Sequence, residues 1–191
     1  MKNKLEDYIS ISTLNDFIFC PYSIYLHNVY KDVDDDIYYA TPQNKGRFAH
    51  EGIDKKTYSN RKNDLLALPV FSNELGLIGK TDLYKQEEMM LIERKYQLKK
   101  IYQGQLYQLW AQYFCLIEMG YHVRKIAFYE ISTKKMIYIN LPTNEDKNEL
   151  KCFISKFKNY NPCDYISINT NKCIHCIYCN LCDKNQAENV Y

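Results

Sequence analysis

Two groups of residues in this 191-residue chain have the types and spacing to do chemistry. The first is Cys173-Ile-His-Cys176-Ile-Tyr-Cys179-Asn-Leu-Cys182, joined by a distant Cys20-Pro21. Thiolates two or three residues apart can wrap one soft metal centre, because the turn between them sets both sulfurs on the same side. The second group is Glu93-Arg-Lys95 within a strand-like run. A period of two puts Glu93 and Lys95 on one face and Ile92 and Arg94 on the other. Asp82 ends the preceding strand of a hairpin, and adjacent strands lie about 5 Å apart, so Asp82 and Glu93 can share one cation. Such oxygen ligands suit Mg²⁺ or Mn²⁺. A lysine beside two carboxylates stays protonated and can offset charge on a phosphate. Together these groups are equipment for metal-assisted phosphodiester hydrolysis. Taken alone, Glu-x-Lys is also a common surface ion pair.

Other residues extend this second group. His50, in Lys-Gly-Arg-Phe-Ala-His-Glu-Gly, offers an imidazole that would complete a His, Asp, Glu ligand set. On a long helix Leu106, Leu109, Tyr113 and Leu116 form the expected buried stripe. Gln105, Gln108 and Gln112 form a polar stripe beside it, facing either solvent or a phosphate and the site lysine. Arg47, Arg94, Lys99 and Lys100 add positive charge suited to a nucleic-acid backbone, or are simply solvated. The 19 tyrosines fit either an AT-rich coding bias or base stacking.

Positioning these groups requires the following elements. Tyr8–Ile11 reads as a short strand, and Ser12 or Thr13 can cap a helix through Phe19. Pro21 breaks that helix and suits the first turn of a second, ending near Asn28, so Cys20 sits at the break. Asp32–Asp36 is an acidic loop and 44–58 a helix. Strands follow at Leu65–Phe71, Leu75–Tyr84 and Met89–Tyr96. The long helix covers Tyr102–Met119 and stops at Gly120. A hairpin at Arg124–Ile131 and Met136–Leu141 precedes a last helix from Thr143 to Lys158. Strands with flanking helices predict an α/β (mixed α+β) fold with a mixed central sheet covered by helices.

Composition narrows the setting. With 46% hydrophobic and 25% charged residues the chain has the balance of one globular domain, spanning 1–191. A net charge of +2 does not by itself call for nucleic acid, although charge can be local. No apolar run approaches the ~20 residues of a membrane helix, and no secretory leader is evident. The expectation is a cytoplasmic protein with no membrane association, whose cysteines bind metal rather than pair.

The ordered series resembles the RecB-type nucleases of the PD-(D/E)xK superfamily. His50 matches the motif I histidine, Gly79-Lys-Thr-Asp82 motif II, Glu93-x-Lys95 motif III, and Gln108 the following helical glutamine. With Cys20 upstream and Cys173, Cys176 and Cys182 downstream, the chain resembles the CRISPR-associated RecB-like exonucleases of the spacer-acquisition machinery. The resemblance runs from about Ser10 to Cys182. It implies a PD-(D/E)xK core with residues 12–30 and 160–185 forming an iron-sulfur region. It also implies a 4Fe-4S cluster on Cys20, Cys173, Cys176 and Cys182. Mn²⁺ or Mg²⁺ would sit on His50, Asp82 and Glu93, with Lys95 and Gln108 completing the catalytic set. The implied activity is exonucleolytic trimming of single-stranded DNA ends and overhangs, together with the CRISPR integrase complex. Cys179 leaves a tail-only ligand run open, and the cysteine spacing by itself equally suits zinc. Cys115 and Cys152 read as packed helix thiols. A non-cutting DNA-binding adaptor for the integrase and a stand-alone repair nuclease are the alternative functions.

Overall fold

A bent pair of strands organises the molecule. In the computed structural model, which describes residues 8–31, 55 and 63–186, the two runs read as single strands each break in the middle. Asp64–Leu66 (β2) gives way to Pro69–Ser72 (β3), and Leu77–Lys80 (β4) gives way to Leu83–Lys85 (β5). Ala67 takes a left-handed φ of 47° at the first break. Across the kink the Ala67 amide donates to the Asp82 carbonyl, and the Thr81 amide to the Leu68 carbonyl. Pairing therefore continues while the direction changes. The outcome is two sheets where one central sheet was expected. β4 lies between a short parallel strand, Ile9–Ser10 (β1), and antiparallel β3. β5 opens the second sheet, ordered β2-β5-β6-β7-β8, with β6 at Met90–Lys95, β7 at Lys125–Glu130 and β8 at Lys135–Ile139.

Helices cover these mixed sheets. The parallel pair β6 and β7 needs a crossover. Gln103–Glu118 (α3) supplies it and ends at Gly120, whose φ of +86° suits a residue without Cβ. Leu109, Ala111, Cys115 and Leu116 of α3 are fully buried. Thr13–Phe19 (α1) packs on α3, and Pro21–Val29 (α2) follows after extended Cys20. The side chain of Ser12 makes no cap for α1, since Ser12 is already helical with φ −61°. Asn144–Lys158 (α4) opens as the sequence implies, with Thr143 Oγ1 accepting from the Asp146 amide at 3.2 Å. Phe17 of α1 packs on Phe153 and Phe157 of α4. The tail adds one short turn, Thr170–Cys173 (α5), and a 3₁₀ turn at Cys179–Leu181. Among the described residues no helix is long and apolar enough to cross a membrane. The acidic loop, Arg47, His50 and, apart from residue 55, the expected helix at 44–58 lie outside the described residues.

Candidate carboxylate–lysine and cysteine sites

β6 is the centre of the second sheet, and residues on both of its faces are buried, so its polar residues exist in a crowded setting. Glu93 is only 5% exposed. The antiparallel register pairs Leu83 with Ile92, which sets Asp82 level with Glu93 at the kink. There one Asp82 carboxylate oxygen accepts the Arg94 amide at 2.7 Å. Lys95 Nζ lies 2.8 Å from Glu93 Oε1 and donates to Gln108 Oε1 at 3.1 Å. Gln112, one turn further along α3, donates from Nε2 to Glu93 Oε2 at 2.8 Å. Gln108 Nε2 in turn donates to the Ser12 carbonyl at 3.1 Å, tying α3 to the start of α1. Two glutamines four residues apart thus hold one partner each of the Glu93–Lys95 pair.

The electrostatics follow from this crowding. Burial pulls the Lys95 pKa down, but the charges of Glu93, Asp82 and Asp16 outweigh it and leave the ammonium raised. Lys95 is therefore a fixed cation at neutral pH. Asp16 is a carboxylate that the sequence reading missed. It lines an open cavity of about 340 Å³ between α1, α2 and the tail, shared with His27 and His175. Crowding by protein raises its carboxyl, while His27 and Lys95 pull it back. Its side chain still reaches solvent, which weakens the burial effect. The only signal in the sequence was a lone acid between Leu14 and Phe17.

Arg94 does not join the backbone-binding charges expected of it. It is 7% exposed, with its guanidinium 5.8 Å from the centre of the Tyr129 ring. Gln105 also turns elsewhere, accepting the Tyr102 amide at 3.0 Å at the start of α3. The described donors suit a hard divalent ion through the carboxylates of Asp82 and Glu93. Among the described residues no three His, Cys, Asp or Glu side chains are grouped to hold an ion as they stand.

A second site lies beside α1. Cys20, Cys173, Cys176, Cys179 and Cys182 all line one cavity of about 130 Å³. α2 packs on the tail through Tyr22, Leu26 and Tyr178. His27 Nδ1 lies 3.0 Å from the Tyr178 hydroxyl, and Tyr22 donates to Asp183 at 2.7 Å. Burial first, then Cys20, Cys182 and Cys173, push the Cys176 thiol up to about 11. Burial, Asp183, Cys20 and Cys173 raise Cys182. Cys179 differs, because its Sγ accepts Asn185 Nδ2 at 3.3 Å. Clustered soft donors fit a thiophilic centre, and a polynuclear cluster holds its thiolates apart at its corners rather than converging them on one point. None of the eight cysteines is in a disulfide. Cys115 is a packed thiol pushed up to about 12 by burial, whereas Cys152 is exposed on α4 rather than packed.

Neither family models nor curated proteins match this chain. A solved structure does.

The protein designated SSO0001 superposes with a TM-score of 0.60 over 96% of this chain and 94% of its own, at 17% identity. At that identity the likeness establishes a shared fold and leaves chemistry to the residues themselves.

Of the residues singled out by sequence, Asp82, Glu93, Lys95 and Gln108 come together at the kink. Cys20 meets Cys173, Cys176 and Cys182 across the chain. Gln112 joins the first group through its hydrogen bond to Glu93, and Asp16 through its charge alone. Gln112 was visible in the glutamine stripe but carried no separate signal.

Proposed function

We propose that the protein is a metal-dependent deoxyribonuclease with a PD-(D/E)xK core and a 4Fe-4S cluster. It trims single-stranded ends or overhangs of prespacer DNA in the cytoplasm, working with a CRISPR integrase during spacer acquisition. The observation that carries this reading is Lys95 Nζ held 2.8 Å from Glu93 Oε1 and 3.1 Å from Gln108 Oε1, with Asp82 level with Glu93. A bound Mn²⁺ or Mg²⁺ polarises phosphoryl oxygens and lowers the pKa of water. Asp82 and Glu93, with His50, would hold it. Lys95 stabilises negative charge developing on the phosphate and orients the attacking water. Gln108 fixes the Lys95 ammonium, and its link to Ser12 keeps α1 against the site. Cys20, Cys173, Cys176 and Cys182 would hold the cluster, whose role in this reading is to join the N-terminal helices to the tail.

The test is cleavage of end-labelled single-stranded DNA in Mn²⁺. Asp82→Ala and Lys95→Ala should each abolish cutting while anaerobically purified protein keeps its iron and colour. If both variants cut as fast as the parent protein, the active-site assignment is wrong. Stoichiometric zinc without iron in anaerobic preparations would sink the cluster assignment.

A further inference from the structure

Glu130 is a buried carboxylate, 7% exposed, that the proposed chemistry does not use. One of its oxygens accepts the Leu98 amide at 2.7 Å, and the other accepts the Thr133 hydroxyl at 2.6 Å. These donors, the Leu98 amide foremost, hold its carboxyl below the usual range. Its main work is to clamp the segment 96–102, which leaves β6 directly after Lys95 and enters α3 just before Gln108. The Ser132 amide adds a bond to the Tyr96 carbonyl at 3.0 Å, and Leu98 is buried beneath. A segment pinned this firmly presents its outward side chains at set positions. Those side chains are Tyr96, 42% exposed, Tyr102, 55% exposed, and the exposed Lys99 and Lys100. Lys100 Nζ lies 4.8 Å from the Tyr102 ring centre, pairing charge with an aromatic face. Between Glu93 and Glu118 the chain has no acidic residue. Of the carboxylates that approach the segment in space, Glu130 accepts from Leu98 and Thr133, and Glu149 from Gln103 and Tyr107.

We infer that segment 96–102 is the substrate platform of this protein, on which Tyr96 and Tyr102 stack unpaired bases while Lys99 and Lys100 neutralise the flanking phosphates. This rests on the nuclease reading and deepens it by assigning where the strand lies. Stacking requires bases released from a duplex, so the platform selects single strands and overhangs. The lysines add affinity that falls with salt and is blind to strandedness. An acidic protein surface would also suit the lysines, but it has no use for two exposed aromatic side chains at set positions.

The experiment measures binding of the full-length protein to fluorescent oligo-dT and to a blunt duplex by anisotropy, without divalent metal and across salt. Tyr96→Ala and Tyr102→Ala should each weaken oligo-dT binding by about 5- to 100-fold, as loss of one stacked base implies. Duplex binding should hold, and Tyr→Phe should restore the parent affinity. Joint Lys99→Ala and Lys100→Ala should reduce the salt slope by about 1.4 on single strands. If the parent protein binds oligo-dT and the alanine variants bind it equally well, the platform is wrong while the nuclease reading stands. Equal losses on duplex and single strand overturn the stacking role. Unchanged DNA binding with lost co-elution of the integrase makes the segment a protein-docking surface and also overturns it. A parent protein that binds and cuts no DNA removes the nuclease reading itself.

Discussion

Lys172, in the cysteine-bearing tail, donates from Nζ to the carbonyl of Phe19, 2.9 Å away and 153 residues earlier. It also reaches the Ile18 carbonyl at 3.2 Å. Both carbonyls belong to the last turn of α1, where a cation is favoured by the helix dipole. Cys173 follows Lys172, and Cys20 follows Phe19, so this contact registers one cysteine against the other. Lys172→Met should cost about 0.5 to 1 kcal/mol, since the site is open to solvent. Thermal unfolding should shift down by a few degrees. An unchanged melting curve together with unchanged iron retention would show that the contact has no such role.

The cysteines separate by their existing partners. Cys179 already receives the Asn185 amide, whereas Cys20 adjoins Cys176 and Cys182. Cys20→Ala should lose most of the iron and brown colour of anaerobic protein, and Cys179→Ala should keep them. The opposite pattern would favour a ligand set drawn from the tail alone.

Gln112 should matter beyond its burial. It fixes the Glu93 oxygen that Lys95 does not take, and outer partners of a metal ligand commonly affect affinity by about 10- to 100-fold. Gln112→Leu should weaken Mn²⁺ binding in calorimetry by that order and slow cutting at low Mn²⁺, with recovery at high Mn²⁺. Lys95→Ala should not recover with metal. Identical Mn²⁺ titrations for Gln112→Leu and the parent protein would remove this role.

Acid stability has a local source at Glu74. Its carboxylate meets Lys147 at 2.7 Å and Lys151 at 2.8 Å, joining the β3–β4 turn to α4. Hydrogen bonds from Lys147 and then Lys151 lower its pKa from 4.5 to about 2. A lowered carboxylate contributes stability above its unfolded pKa and loses it as pH falls through the folded one. The contribution is therefore present above pH 4.5 and disappears towards pH 2. Being on the surface, it is under about 1 kcal/mol and screened by salt. Glu74→Gln should flatten the unfolding profile in that window at low salt. A profile as steep as that of the parent protein would place the acid sensitivity elsewhere.

Gly104 sets how closely α3 approaches α1. A Cβ there would lie 2.5 Å from Asn15 Oδ1 and 3.0 Å from Asn15 Cα. The amide can swing away, but the backbone cannot. Gly104→Ala should be nearly neutral, because a helix-propensity gain of up to about 1 kcal/mol offsets the squeeze. Gly104→Val should cost about 1–3 kcal/mol and displace the helix that holds Asp16 and receives Gln108. Equal stability of the two variants by urea unfolding would mean that α1 yields freely.

Elements with a local physical signal were legible before any coordinates. Pro21 announces the helix break at Cys20, Gly120 the end of α3, and Pro142-Thr143 the start of α4. The pairing of Glu93 with Lys95 followed from a two-residue period. The kink was not legible, because Ala67 adopts its left-handed φ without a glycine or asparagine to mark it. Two strands were therefore read through it, and two sheets as one. Arg94 was misplaced because alternation tells which face a residue takes, not whether that face is covered. Five successive residues of β6 are buried, so neither of its faces is open there. Falling within a helix suggests a packed Cys152, yet the buried positions of α4 are Leu150 and Ile154. Asp16 depends on how α1 lies on α3, which no local pattern encodes.

The packing of α2 against the tail has a consequence for synthesis. His27 contacts Tyr178 across 151 residues. On the ribosome α2 must therefore wait for nearly the whole polypeptide before gaining its cover. One wall of the cavity holding Asp16 is completed only when that late segment docks. A nascent chain carrying both strands of the proposed site thus still lacks that wall, which forms as a final assembly event rather than growing with length.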